Sequence, residues 1–239
     1  MKIIVINLKR QSERKQNMMS QFERLGITNY EFFDAIDAST IENVSEVYDE
    51  EKANRIYRKM GINEIACTMS HKEIYKKIMD SDEQYIIMED DVTITDEFVK
   101  FLDAEIESQY DFVFFGYFTD KHSLGNEKKF HSEIFNPRGF ISRCYFNKDY
   151  MHLKGTNFYS INSDSFTNDM VLGGHAYYVS KNIAKLMYDL NTPIFCGNDV
   201  IPNYMQTKHS IRMFAPLKEF VYQNGIADSS IEKDRLKHE

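Results

Sequence analysis

Apolar positions along the chain alternate between two patterns. The run KIIVINL, Lys2 to Leu8, is continuous, short and rich in β-branched residues, as expected of a strand buried on both faces. In the next segment Met18, Met19, Phe22 and Leu25 recur at helical spacing, with Ser12 able to cap the start and Gly26 to stop the end. YEFFDAID then predicts a second strand, so the chain opens strand, helix, strand. Residues 39–60 are polar and charged and predict a helical or irregular insert. Ile65, Met69, Ile74 and Ile78 predict a further helix. YIIMEDD predicts a central strand, DEFVKFLDAEI a helix, and YDFVFFGYF another strand. From Thr119 to Asn168 the periodicity is weak, which predicts loops or a hairpin over a site. GGHAYYVS, KNIAKLMYDL, IRMFAP and FVYQNG predict a strand, a helix and two late strands. The expected fold is α/β: a Rossmann-type, mostly parallel sheet with helices on both faces and a C-terminal elaboration.

Length and composition narrow the class. With 239 residues, 42% hydrophobic and 28% charged, the chain suits a globular domain with a sizeable core. The net charge of -8 argues against a nucleic-acid partner. The 3 cysteines, Cys67, Cys144 and Cys196, are scattered and form no CxxC pair. They are expected to be free thiols in a reducing compartment, with Cys67 and Cys196 as small buried residues. No apolar run reaches membrane length, so the expected location is cytoplasmic.

The candidate chemistry begins at YIIMEDDVTI, where an apolar run ends in Glu89, Asp90 and Asp91. Ligands of open α/β sheets sit outside the carboxyl ends of strands. Carboxylates gathered there repel one another unless water or a cation relieves them, and Mn²⁺ or Mg²⁺ takes such oxygen ligands together with substrate phosphates. Glu89 and Asp91, one residue apart, point to one side of an extended segment. The plain alternative is a solvated acidic turn, with Asp91 or Asp96 capping a helix. EDDVT lacks the first aspartate of an Asp-x-Asp-x-Thr phosphotransferase.

Several blocks in order resemble glycosyltransferase family 25: VINLKRQSERKQNM, FFDAIDA, NEIACTMSHKEIY, YIIMEDDVTI, GGHAYYVSKNIAKLM and VYQNGIADSSI. Asn63 and Ala66 depart from it, standing where that family usually has glycines. The resemblance implies a GT-A-like fold and an inverting transferase that uses a nucleotide sugar, most often UDP-galactose, and a lipooligosaccharide outer-core acceptor. One domain over 1–239 is expected, with 1–118 as the donor half and 119–239 as the acceptor half. Under it, Glu89, Asp90 and Asp91 hold the metal. Asn7, Leu8, Arg10 and Arg14, beside a helix N-terminus, and Asp34, Ser70 and His71 line the donor site. Gly173 and Gly174 let the backbone approach the donor sugar. Asp199 is the first candidate for general base, with Asp169 and Glu64 as alternatives. His175 and His209 are further nitrogen ligands to consider, and Tyr117 or Phe118 can stack on a sugar. A lipid-linked acceptor implies peripheral contact with the inner membrane face, for which the helix of Lys181 and Lys185 is a candidate. A nucleotide-sugar-binding protein without turnover, and a phosphohydrolase, are the competing functions.

Overall fold

The first apolar run forms β1 (Lys2–Asn7), enclosed on both faces. In the computed structural model, which describes residues 1–118, 131–135, 141–163 and 172–224, a helix and a second strand follow it as expected. The helix α1 (Ser12–Leu25) buries Met18 and Phe22 and ends at Gly26, whose φ of 66° is the left-handed conformation glycine adopts without strain. Ser12 does not cap α1; Gln11 flanks it, with no side-chain cap. The strand β2 (Tyr30–Asp34) then pairs parallel to β1. Two 3-10 turns and α2 (Glu50–Ile56) make up the insert before α3 (Ile62–Met79).

β3 (Tyr85–Glu89) lies parallel to β1 on its other side. The acidic run does not prolong it: the chain turns and resumes as β4 (Val92–Ile94). The helix expected from Asp96 onward is only a 3-10 segment, Asp96–Phe101. Phe98 and Phe101, three apart and both fully buried, match the three-residue period of that tighter helix.

β5 (Phe112–Phe118), β6 (His131–Phe135), β7 (Ile141–Leu153), β8 (Thr156–Ser163), β9 (Leu172–Val179) and β10 (Met213–Pro216) complete a sheet ordered β2-β1-β3-β9-β5-β10-β8-β7-β6. Within it β2, β1, β3, β5 and β10 share one direction, and β9 is inserted against them between β3 and β5. The mostly parallel expectation holds across these strands, and antiparallel pairing extends the sheet through β8, β7 and β6. The expected hairpin is β7–β8; Asp169 lies outside the described residues. The last strand, β11 (Val221–Gln223), leaves the main sheet and pairs antiparallel with β4.

Both faces of the sheet are covered. Ile4, Ile6 and Ile87 face a core closed by α3, α4 (Lys181–Leu190) and α5 (Ile201–Gln206). Ile3, Val5, Ile86 and Met88 face a second core closed by α1 and the Asp96–Phe101 segment. Burial on both faces explains why β1 and β3 are continuous apolar runs. It also leaves their polar carboxyl ends as the place where acids can reach solvent.

Candidate functional site

Glu89 ends β3, Asp90 and Asp91 form the turn to β4, and the three do not act alike. Asp90 turns inward and is 7% exposed. Its Oδ2 accepts from the Asn7 amide at 2.6 Å and its Oδ1 from Arg14 at 3.1 Å. Asn7 donates also to the Gln11 carbonyl at 3.1 Å, so both its amide protons are used and it braces the β1–α1 turn. Asn7 and Asp90 are thus engaged with each other, and Asp90 also lines the cleft beside which the donor and metal were expected.

Glu89 and Asp91 face a common point. The side-chain nitrogen of Gln223, at the end of β11, lies 3.3 Å from Glu89 Oε2 and 3.3 and 3.4 Å from the two oxygens of Asp91. Arg14 approaches Asp91 at 3.3 Å. Burial first, then the charges of Asp199 and Asp90, push the Glu89 carboxyl up to about 7, with Arg14 opposing. Burial and the Glu89 charge push Asp91 up to about 7, again with Arg14 opposing. Two crowded carboxyls of this kind bind a proton or a cation readily.

A cleft of about 160 Å³ opens beside this turn, between the loop after β1, the loop after β2 and the first half of α3. Leu8, Arg10 and Arg14 line one side, and Asn63, Ala66 and Ser70 the other. Arg10 is paired with Asp37. Ser70 shapes the wall: its hydroxyl donates to the Ala66 carbonyl and accepts from the Ile36 amide, each at 2.9 Å. Cys67 also faces the cleft, which differs from its expected role as plain core. Cys196 is fully buried as expected.

Other expected residues fall elsewhere. Asp34 is exposed and paired with Lys9 at 3.1 Å, outside the cleft lining. A Cβ at Gly173 would meet Tyr117 Cα at 2.6 Å, so that glycine serves strand contact. A Cβ at Gly174 would lie 3.1 Å from Asn198 Nδ2 and 3.7 Å from Glu89 Oε1, so Gly174 borders the acidic site. His71 is 1% exposed and sits behind Glu89, outside the cleft lining. Burial pushes it down to about 3, so it is neutral. His175 is buried with Nε2 3.4 Å from the Val221 carbonyl, and His209 is exposed. Tyr117 is buried and donates to the Pro216 carbonyl, which removes it from sugar stacking. Lys181 donates to the Ser81 carbonyl and Lys185 pairs with Asp189 on the surface.

The candidate bases differ in the same way. Glu64 is gripped by both nitrogens of Arg58 at 2.8 and 3.0 Å and is 4% exposed, so it is held in that pair. Asp199 precedes α5 but does not cap it, since Val200 is the flanking residue. Its Cβ and Glu89 Oε1 flank the same face of Gly174, and its charge acts on Glu89. Gln223 and Cys67 were not anticipated as site residues. The first stands in the short strand β11, inside the VYQNGIADSSI block, whose resemblance assigned it no role. The second carries a signal, Cys67 and His71 at i, i+4 on one helix.

The sequence profile of glycosyltransferase family 25, described as LPS biosynthesis protein, matches residues 1–201. The chain belongs to this family. Among curated relatives it is 35% identical over 102 residues to "Putative glycosyltransferase R655" of Acanthamoeba polyphaga mimivirus, covering 41% of this chain and 31% of that one. It is 32% identical over 99 residues to the lipooligosaccharide biosynthesis protein lic2B of Haemophilus influenzae, covering 41% of this chain and 36% of that one. It is 31% identical over 130 residues to a glycosyltransferase 25 family member of Drosophila melanogaster, covering 48% of this chain and 21% of that one. The chain thus spans about a third or less of these relatives. Among the described residues no helix is long and apolar enough to cross a membrane.

Proposed function

We propose that the cleft takes a nucleotide sugar, with UDP-galactose as the first candidate, and that the protein transfers the hexose with inversion to an acceptor glycan of the lipooligosaccharide type. The observation that carries this reading is the convergence of Glu89 and Asp91 on one nitrogen of Gln223, at the strand end that borders the cleft. Membership in the family and the description of the lic2B relative support the class of reaction and of acceptor.

The donor set is all oxygen, which suits Mn²⁺ or Mg²⁺, and Glu89 and Asp91 are the residues that would hold the ion. Such an ion supplies charge neutralisation to a departing diphosphate. The remaining work belongs to the chain. Arg10 and Arg14, on the loop and first turn after β1, stand where phosphate oxygens would lie and can bind them through two nitrogens at once. Asn7 and Asp90 hold that loop against the acidic turn, so its backbone need not reorganise when the donor arrives, while Arg10 and Arg14 exchange carboxylate partners for phosphate. Asp199, on the same face of Gly174 as Glu89, takes the proton from the attacking acceptor hydroxyl. A lipid-linked acceptor would bring the protein to the inner membrane face, with the surface of α4 carrying Lys181 and Lys185 as a contact.

The test is donor consumption and transfer with a panel of UDP-hexoses, with Mn²⁺, with Mg²⁺ and with chelator, for wild type and Asp91→Asn. Metal-dependent consumption of one donor, absent in the variant, supports the reading. Tight donor binding with no turnover under any acceptor supports a binding protein instead, a reading favoured by Asn63 and Ala66 lining the cleft where the family usually has glycines. Donor hydrolysis that ignores the acceptor supports a hydrolase.

A further inference from the structure

Three side chains that the transfer chemistry does not need as a set meet behind the acidic turn. Cys67 and His71 lie four apart on one face of α3, and Glu89 ends β3 opposite them. Their sulfur, nitrogen and oxygen atoms all lie within 4.8 Å of one another. His71 Nε2 is 3.6 Å from Glu89 Oε1, and that nitrogen is buried with no hydrogen-bond partner among the described residues. Zinc bonds to nitrogen and oxygen of about 2.0–2.1 Å at a tetrahedral angle put those two atoms about 3.4 Å apart.

The neighbours of His71 decide which of its nitrogens carries the proton. The Tyr75 hydroxyl donates to Asn198 Oδ1, which uses its only proton. The contact of 2.9 Å between the Tyr75 and Tyr177 hydroxyls must then be made by the Tyr177 proton. Tyr177 has nothing left to donate, so His71 Nδ1, 2.8 Å away, is the donor of that pair. The neutral ring therefore turns its lone pair, on Nε2, toward Glu89. A ring held through its other N–H by a fixed partner is the usual state of a histidine that binds a metal.

The two oxygens of Glu89 face different ways. Oε2 is directed to Gln223, beside Asp91, and Oε1 to His71. Burial, and after it the charges of Glu89, Asp199, Glu64 and Asp91, raise the Cys67 thiol, and the same negative field attracts a cation. Because Cys67 also lines the cleft, three protein ligands leave a fourth position open to water or substrate oxygen.

We propose that Cys67, His71 and Glu89 form a second metal site, for a borderline-soft divalent ion such as Zn²⁺, distinct from the all-oxygen site of Glu89 and Asp91. A thiolate, an imidazole and one carboxylate select Zn²⁺ or Co²⁺ over Mg²⁺ or Mn²⁺. The proposal does not rest on the transferase reading, and its test does not read transfer.

The full chain, freed of metal, is titrated with Co²⁺ and with Zn²⁺. Wild type is expected to bind one Co²⁺ with a thiolate-to-cobalt charge-transfer band that Zn²⁺ erases. Cys67→Ser is expected to lose the band at an unchanged melting temperature of the metal-free protein. Tyr177→Phe, which keeps the ring but not the hydroxyl that holds His71, is expected to bind Zn²⁺ about 10–100-fold more weakly. A structural role alone would lower its melting temperature and leave that affinity intact. No band in wild type with Co²⁺ in excess, or the same band in Cys67→Ser, overturns the proposal. Loss of sugar transfer with the band intact would overturn only the transferase reading.

Discussion

The side-chain amide of Asn7 donates to the carboxylate of Asp90 across 2.6 Å, joining the end of β1 to the acidic turn after β3. Both groups are buried, at 4% and 7% exposure, so neither has water as a substitute partner. Removing the amide leaves Asp90, among the described residues, with Arg14 as its side-chain donor. Asn7→Ala is therefore expected to destabilise the fold by about 1–3 kcal/mol, the cost of a buried acceptor left unsatisfied. Denaturant unfolding of the two proteins measures this, and an unchanged midpoint would show that water replaces the amide.

Gly116 makes a second long-range support. A Cβ there would lie 2.2 Å from the Val221 carbonyl and 2.3 Å from His175 Nε2. The carbonyl is backbone and cannot swing aside, so β11 must shift, and with it Gln223. Gly116→Ala is expected to cost about 1–3 kcal/mol in stability through overpacking. It is also expected to weaken donor binding, although residue 116 lies outside the cleft lining. Calorimetry of donor binding alongside a melt tests this, and full affinity in a stable variant would remove β11 from the site.

Asp199→Asn keeps the shape of the candidate base and removes its ability to take a proton. Transfer is expected to fall about 10²–10⁴-fold with donor affinity preserved. Steady-state transfer rates and a donor titration separate the two effects. Comparable turnover in the variant would send the role of base to another residue.

Glu219 has a pH signature away from the cleft. Burial pushes its carboxyl from 4.5 up to about 7. Below 4.5 it is protonated in folded and unfolded chains alike and contributes nothing. Between 4.5 and 7 the folded chain holds a proton that the unfolded chain has released, so stability falls as pH rises, and the full penalty stands above 7. Because the group is part exposed, solvent screening reduces this to on the order of 1 kcal/mol. Glu219→Gln is expected to unfold at higher denaturant than wild type at pH 8 and at the same denaturant at pH 4. Parallel pH profiles for the two proteins would contradict this.

Helix α1, strands β1 and β3 and the stop at Gly26 were legible in the sequence, because each is written in the spacing of nearby residues and in one glycine at φ 66°. The acidic turn was legible too, as charge following an apolar run. The Asp96–Phe101 segment was not, since two phenylalanines three apart fit a 3-10 turn and an α-helix equally until burial decides.

By itself, then, the chain determined an α/β alternation, an acidic strand end and the family to which these blocks belong. Only the tertiary structure decided how the three acids divide their work. Asp90 is drawn inward by Asn7, 83 positions away, and Gln223 reaches Asp91 from 132 positions away. It also decided that β9 enters the sheet against its neighbours and carries Tyr177 to His71. Periodicity reports which face of an element is buried; it carries no information about which distant polar group will meet it there. Those partners are set by the sheet order and by the need of each buried polar atom to find a hydrogen bond.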